Sequence, residues 1–391
     1  MPSMIACQPL RTFTAATLRP LLRTRNLSVI LLLLTLTTTF DPGSVRAQPQ
    51  TENLVIVTLD GFRWQEVFLG MDSTIACQKR FNHGDSAGIF ARYWASAPSD
   101  RRAKLLPFIW STVAQQGRIY GNRMLGSNVD VANRYWFSYP GYNEIFTGYA
   151  DTNVNTNSYP NNPNSNFLEF IERQPGFRGK VGAFGAWEAF SRILNAPRCG
   201  FPVVAAFEDC GGNKPTAEER LINTMRNDSY KPWGEDECQD VFTHYAAMEF
   251  FKEKKPRVLF IGYGETDEWA HAGDYMAYLN AAHQADQWIR SIWTLLQSDV
   301  EYRNKTTLFI AVDHGRGGRN KDQWTGHGQS VPDSHETWFA VLGPDTPRGG
   351  EMRSTGQIYE KQYARTLSSY LGLTFTADHP VGDAIPGLMR P

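Results

Sequence analysis

Three stretches of the chain are apolar almost throughout, Thr58 and Thr307 excepted: residues 54–59, 258–263 and 307–312. Each is too short for a buried helix and too continuous for a half-exposed strand. That predicts strands covered on both faces, as in a parallel sheet. Residues 180–186 and 338–342 repeat the pattern. Between these runs apolar residues recur at helical spacing. Residues 104–114 form one such segment, ending near Gly117, and 275–297 a longer amphipathic one through Leu279, Ala282, Trp288, Ile292, Trp293 and Leu296. Residues 363–371 close the chain as a helix. Residues 133–137 read as a short strand or extended lead-in, 63–103 as loop, and the Asn-, Pro- and Ser-rich 151–166 as another loop. Residues 187–240 show little periodicity and read as a small cap-like insertion at the sheet edge. Strands alternating with helices predict an α/β fold, with a mostly parallel central sheet, helices on both faces and this small inserted cap.

The amino terminus stands apart. Arg11, Arg19, Arg23 and Arg25 precede the apolar run 29–34, and Val45-Arg46-Ala47 offers small residues at the outer positions of a cleavage site. This predicts a secretory signal peptide over 1–47, a single large domain over 48–391, and an exported protein, periplasmic or extracellular. An uncleaved anchor is the competing reading. The apolar run is too short to span a bilayer and no later segment is a candidate, so no membrane span is expected once the leader is removed. The leader takes five arginines and one aspartate with it, moving the formal charge from −1 to −5. A mildly acidic chain is a poor binder of nucleic-acid duplexes. Cys77, Cys199, Cys210 and Cys238 remain, an even number compatible with two disulfides in an exported protein, Cys199–Cys210 being the most local pairing. An aromatic content of 13% is high and suggests rings exposed in loops or in a pocket.

Candidate chemistry sits where the apolar runs end. Asp60 follows the first, Asp267 and His271 the second, and Asp313-His314 the third. Carboxyl ends of parallel strands converge on one sheet edge, where open α/β folds hold their ligands. Three aspartates and two histidines arriving there look like a binuclear metal site. Oxygen and nitrogen ligands without thiolate suit zinc, and manganese or magnesium less well. Ser138 stands at the start of a predicted helix, with Pro140 in its first turn, Thr147 near its end and Gly148 as its stop. It is either a plain N-cap or an oxygen poised beside free N–H groups, where an alkoxide or phosphate is favoured. His83, His244, His283 and His379 read as structural. Asp286 reads as a supporting or capping carboxylate. Arg316, Arg319 and Lys321 either hold an anionic substrate or form a solvated charged loop.

Over roughly residues 53–390 the chain resembles the alkaline phosphatase superfamily, and within it the type I phosphodiesterase/nucleotide pyrophosphatase branch. The resemblance rests on five motifs in family order: Leu59-Asp60-Gly61-Phe62, the nucleophile segment from Ser138 to Gly148, Asp267-x-x-x-His271, Asp313-His314-Gly315, and Gly326-His327-Gly328 followed by Phe339 and Gly343-Pro344. It implies two divalent metal ions, zinc in the family. Asp267, His271 and His327 would hold one; Asp60, Asp313, His314 and the nucleophile Ser138 would hold the other. It further implies hydrolysis of a small phosphate ester or nucleotide-like substrate through a phosphoserine, with diesters and pyrophosphates ahead of monoesters. His335 is a rival to His327. The family's asparagine some twenty residues beyond the nucleophile has Asn162 and Asn164 as candidates. Related activities fit less well. A formylglycine sulfatase needs arginine where Tyr142 stands, and the mature chain is too short for a phosphomutase insert. A metal-stabilised binding protein without catalysis is the alternative from another class. Oligomeric state is not legible.

Overall fold

Successive side chains of β1 (Asn53–Leu59) enter two different cores. Val55, Val57 and Leu59 pack on one side, and Leu54 and Ile56 on the other, all essentially without solvent contact. This two-sided burial is what a nearly continuous apolar run needs, and each Leu or Ile so covered contributes about 1.5–3 kcal/mol. The computed structural model in which this is seen describes residues 49–390, so the expected leader lies outside the described residues.

The further strands are β2 (Arg118–Tyr120), β3 (Ser127–Asp130), β4 (Val181–Gly185), β5 (Val203–Ala205), β6 (Val258–Tyr263), β7 (Thr306–Ala311), β8 (Phe339–Leu342), β9 (Gly350–Glu351) and β10 (Gly356–Tyr359). Eight of them form one sheet in the order β5-β4-β6-β1-β7-β8-β2-β9, and β10 pairs with β3 beside it. β5, β4, β6, β1 and β7 are mutually parallel, and β8 is antiparallel to both neighbours. The sheet is therefore mostly parallel, with apolar packing on each face, as expected. β6, β1 and β7 are adjacent, so their carboxyl ends open onto the same place in mid-sheet. Residues 187–240 include β5, the edge strand of the main sheet, and the helix Ala217–Asp228 with a complete capping box at Thr216.

Several local expectations are corrected. Residues 63–103 are not loop: they carry the helices Trp64–Leu69, Ser73–Ala76, Lys79–Asn82 and Ser86–Tyr93 and the start of Pro98–Leu105. The single helix expected from 104 breaks at Pro107, which lacks a backbone donor, and resumes as a π-turn at Ile109–Val113. Its freed N–H groups at Phe108 and Ile109 donate to the buried carboxylate of Asp286, at 2.8 and 3.0 Å. That settles Asp286 as a cap from the long helix Tyr275–Ser298. Residues 133–137 form no strand, only bends into the helix Ser138–Thr147. The aromatic rings mostly fill the two cores, with Tyr230, Tyr245 and Tyr359 as the exposed exceptions. All four cysteines among the described residues are free thiols; Cys199 and Cys210, the pairing that looked most local, are each buried and unbridged. Among the described residues no helix is long and apolar enough to cross a membrane.

Candidate metal centre

Asp60 is the first residue after β1, Asp313 and His314 lie just past β7, and the helix Glu265–His271 starts two residues past β6. On that helix Asp267 and His271 are four residues apart and share a face, with His271 Nε2 3.0 Å from Asp267 Oδ2. His327 arrives from a loop behind the 3₁₀ turn Lys321–Thr325, its Nε2 3.0 Å from that of His271 and 3.8 Å from Asp267 Oδ1. The result is two groups of three. Asp267, His271 and His327 form one, and Asp60, Asp313 and His314 the other, with ligand atoms in each within 4.8 Å of one another. The groups abut: His314 Nε2 lies 3.3 Å from Asp60 Oδ1, 3.6 Å from Asp313 Oδ2 and 3.7 Å from Asp267 Oδ1. The rings of His314 and His327 stack at 4.1 Å. His335 joins neither group; its ring lies 4.9 Å from that of Trp136.

Ser138 is the first residue of its helix, and Phe137 takes the N-cap position without a side-chain cap. The Ser138 hydroxyl is therefore not spent on capping. It is buried, with Oγ 3.3 Å from His314 Nε2. Gly141, one turn on, packs directly against the Asp313 backbone carbonyl, where no Cβ fits. That contact presses the helix start against the ligand loop.

The electrostatics fit a pair of cations. Asp60 Oδ1 and Asp313 Oδ2 are buried without a hydrogen-bond partner, as is His327 Nδ1, an arrangement that is costly unless charge is supplied. Burial, then the neighbouring Asp267, pushes the Asp60 carboxyl up; burial, then Asp60, pushes Asp313 well above the usual range. Burial disfavours the charged form of His314, but Asp313, Asp60 and Asp267 outweigh it and raise the imidazole to about 9. His327, under burial and then His314, is held well below its ordinary value. Three carboxylates thus compete for too little positive charge. His314 Nδ1 meets the carbonyl of Gly315 at 2.9 Å, which directs Nε2 inward as a ligating nitrogen requires.

Two residues were missed or misread in the sequence. Arg316 is neither solvated nor a free substrate clamp. It is buried and pairs with Asp267, donating to its carboxylate and, at 3.0 Å, to its carbonyl. Burial opposes ionisation of Asp267, yet Arg316, then His271 and His327, hold its carboxyl well below the ordinary value. Arg319 pairs with Asp333 and Lys321 with Asp72. The second is a neighbour of the candidate nucleophile, Asn157, whose Oδ1 accepts the backbone N–H of Tyr139 at 3.0 Å, next to Ser138 in sequence. Asn162 and Asn164, the candidates from spacing, are committed elsewhere. Their amides donate to Asn143 Oδ1 at 2.9 and 3.3 Å, and that of Asn164 also to Asp151 Oδ2 at 2.9 Å. A count from Ser138 could have found Asn157, which lies nineteen residues on.

No protein-family model and no curated protein matches the sequence. Solved structures do match in fold. The lipoteichoic acid synthase LtaP from Listeria monocytogenes superposes with a TM-score of 0.55 at 12% identity, over 86% of this chain and 76% of that one. Murine ectonucleotide pyrophosphatase/phosphodiesterase 5, an inactive form in complex with AMP, gives 0.51 at 11% identity over 86% and 100%. The phosphonate monoester hydrolase of Agrobacterium radiobacter gives 0.51 at 13% over 87% and 77%. These likenesses show a shared α/β fold.

Proposed function

We propose that the protein is an exported, binuclear-metal hydrolase of phosphoric esters, acting on diesters or pyrophosphates through a phosphoserine. One observation carries this reading: the uncommitted Ser138 hydroxyl lies beside two abutting three-residue groups of carboxylate and imidazole. The five motifs and the fold support the same assignment. Asp267, His271 and His327 would hold one divalent ion, and Asp60, Asp313, His314 and Ser138 the other, zinc being the best match to the donor atoms. Bound there, the ions would supply Lewis-acid charge to the Ser138 oxygen and to the phosphoryl oxygens.

The residues then divide the work. Ser138 Oγ, held at the positive end of its helix, gives its proton to solvent and attacks phosphorus. The bond from phosphorus to the leaving oxygen breaks, and that oxygen departs with the electron pair and takes up a proton from solvent. Water attacks the phosphoserine from the vacated side, its oxygen stays on phosphorus, and the P–Oγ bond breaks as Oγ takes back a proton to regenerate the hydroxyl. Asn157, anchored through its carbonyl oxygen to Tyr139 N–H, keeps its amide N–H groups for a phosphoryl oxygen. Arg316 keeps Asp267 ionised and oriented, and the Gly315 carbonyl fixes the His314 ring.

The test is turnover of bis-p-nitrophenyl phosphate by zinc-loaded protein, with p-nitrophenyl phosphate and p-nitrophenyl sulfate alongside. Diester cleavage that chelator abolishes is the expected result. Ser138→Ala should lose at least about 10³-fold in kcat while still binding two ions per chain. Sulfate release ahead of both phosphates would move the protein to the sulfatases, and release from none would favour a binding protein.

A further inference from the structure

Beside the nucleophile lies a cleft of about 480 Å³ that the reaction above does not use, lined among others by Arg134, Trp136, His335, Tyr359 and Lys361. Its lining runs through the segment that leads into the nucleophile helix. Trp136 is two residues before Ser138, and the carbonyl of Tyr135 lies 3.9 Å from where a Cβ on Gly328, next to His327, would sit. His335 follows Ser334, whose carbonyl accepts the N–H of Gly315 at 2.8 Å, and its own carbonyl accepts from Val131 N–H at 3.0 Å.

The cleft wall is built, not incidental. The buried Glu144 carboxylate accepts the N–H groups of Ala132, Asn133 and Lys361 at 2.7, 2.8 and 3.0 Å, tying both sides of the cleft to the nucleophile helix. Asn133 Oδ1 accepts from Tyr135 and Trp136 N–H at 2.9 and 3.1 Å. That turn holds Trp136 at a φ of 56°, a left-handed conformation unusual for a bulky residue. Within this frame the two cations are free. Arg134 is exposed and Lys361 partly so, each lying only over a neighbouring tyrosine ring, and neither has a carboxylate partner among the described residues. The one acid lining the cleft, Asp130, is already paired with Arg123.

The geometry points to a subsite for a second anionic group of the substrate, held by Arg134 and Lys361 and flanked by the ring of Trp136. The substrate class is then a pyrophosphate or a diester whose portion beyond the scissile phosphorus carries another phosphate. This rests on the hydrolase reading of the metal centre.

ADP and AMP, which differ by one phosphate, are compared as inhibitors of bis-p-nitrophenyl phosphate turnover at constant free zinc. Arg134→Gln with Lys361→Gln should weaken ADP about tenfold and leave the inhibition constant of AMP and the kcat/KM of the diester unchanged. Each single variant should give part of the loss. Equal changes for ADP and AMP, or no change in either, would overturn the subsite while leaving the hydrolase reading intact. A wild-type protein without diester turnover indicts the centre instead. Calorimetric ADP binding that the two substitutions still weaken would then show that the cleft binds anions independently of catalysis.

Discussion

Gly61 shows how little room a single residue has at the centre. Its φ of 56° is left-handed, and a Cβ there would fall 2.6 Å from Asp267 Oδ1 and 3.0 Å from Arg316 Nε and His314 Cε1. Gly61→Ala should therefore strip one or both ions, read as metal content per chain, with a backbone penalty of about 1–2 kcal/mol seen in melting. Arg316→Met should lower zinc affinity about 10- to 100-fold, the usual loss when a ligand's partner is removed, measured by competition with a chromogenic chelator. The clustering of the candidate residues at strand ends was legible in the sequence because each follows an apolar run and keeps its motif spacing. Arg316 was not, since its partner Asp267 is forty-nine residues away and a charge after a glycine reads as solvated. Asn157 was hidden among other asparagines, which only the hydrogen bonds separate.

At the scale of elements, β1, β6 and β7 were legible because burial on both faces leaves an unmistakable composition. β2 and β5 were not, being three-residue strands with no periodicity to read. The break at Pro107 is repaired across the fold by Asp286, so Asp286→Ala should cost about 1–2 kcal/mol in denaturant melts, while Asp286→Asn, which keeps an acceptor, should cost less. On the helix Asp240–Lys254, His244 is buried, stacked on Trp288 and 2.9 Å from the Tyr263 hydroxyl. Burial lowers its pKa from 6.5 to about 4. Because the folded state resists protonation, this residue costs nothing above pH 6.5. As pH falls from there to 4 the unfolded state binds a proton the folded state does not, and stability drops by an amount on the order of 3 kcal/mol. His244→Phe should flatten that part of the melting-temperature profile between pH 7 and pH 4.5.

For the molecule as a whole, three buried aspartates meet where three central strands end, and the fold carries that charge without enough counter-charge of its own. Chelation should lower the melting temperature and added zinc restore it; stabilisation by ligand at a hundred to a thousand times Kd is about 3–4 kcal/mol. Ser138→Ala should show the same metal dependence, separating stability from turnover. The α/β class and sheet direction were legible because they follow from alternation alone. The strand order was not, because neighbours in the sheet lie as far apart in sequence as Asn53 of β1 and Thr306 of β7. That order has an evolutionary corollary. Since the strands that carry the candidate ligands occupy the middle, both margins stand apart from the proposed reaction, and new specificities can be grafted there while the central cluster is inherited unchanged.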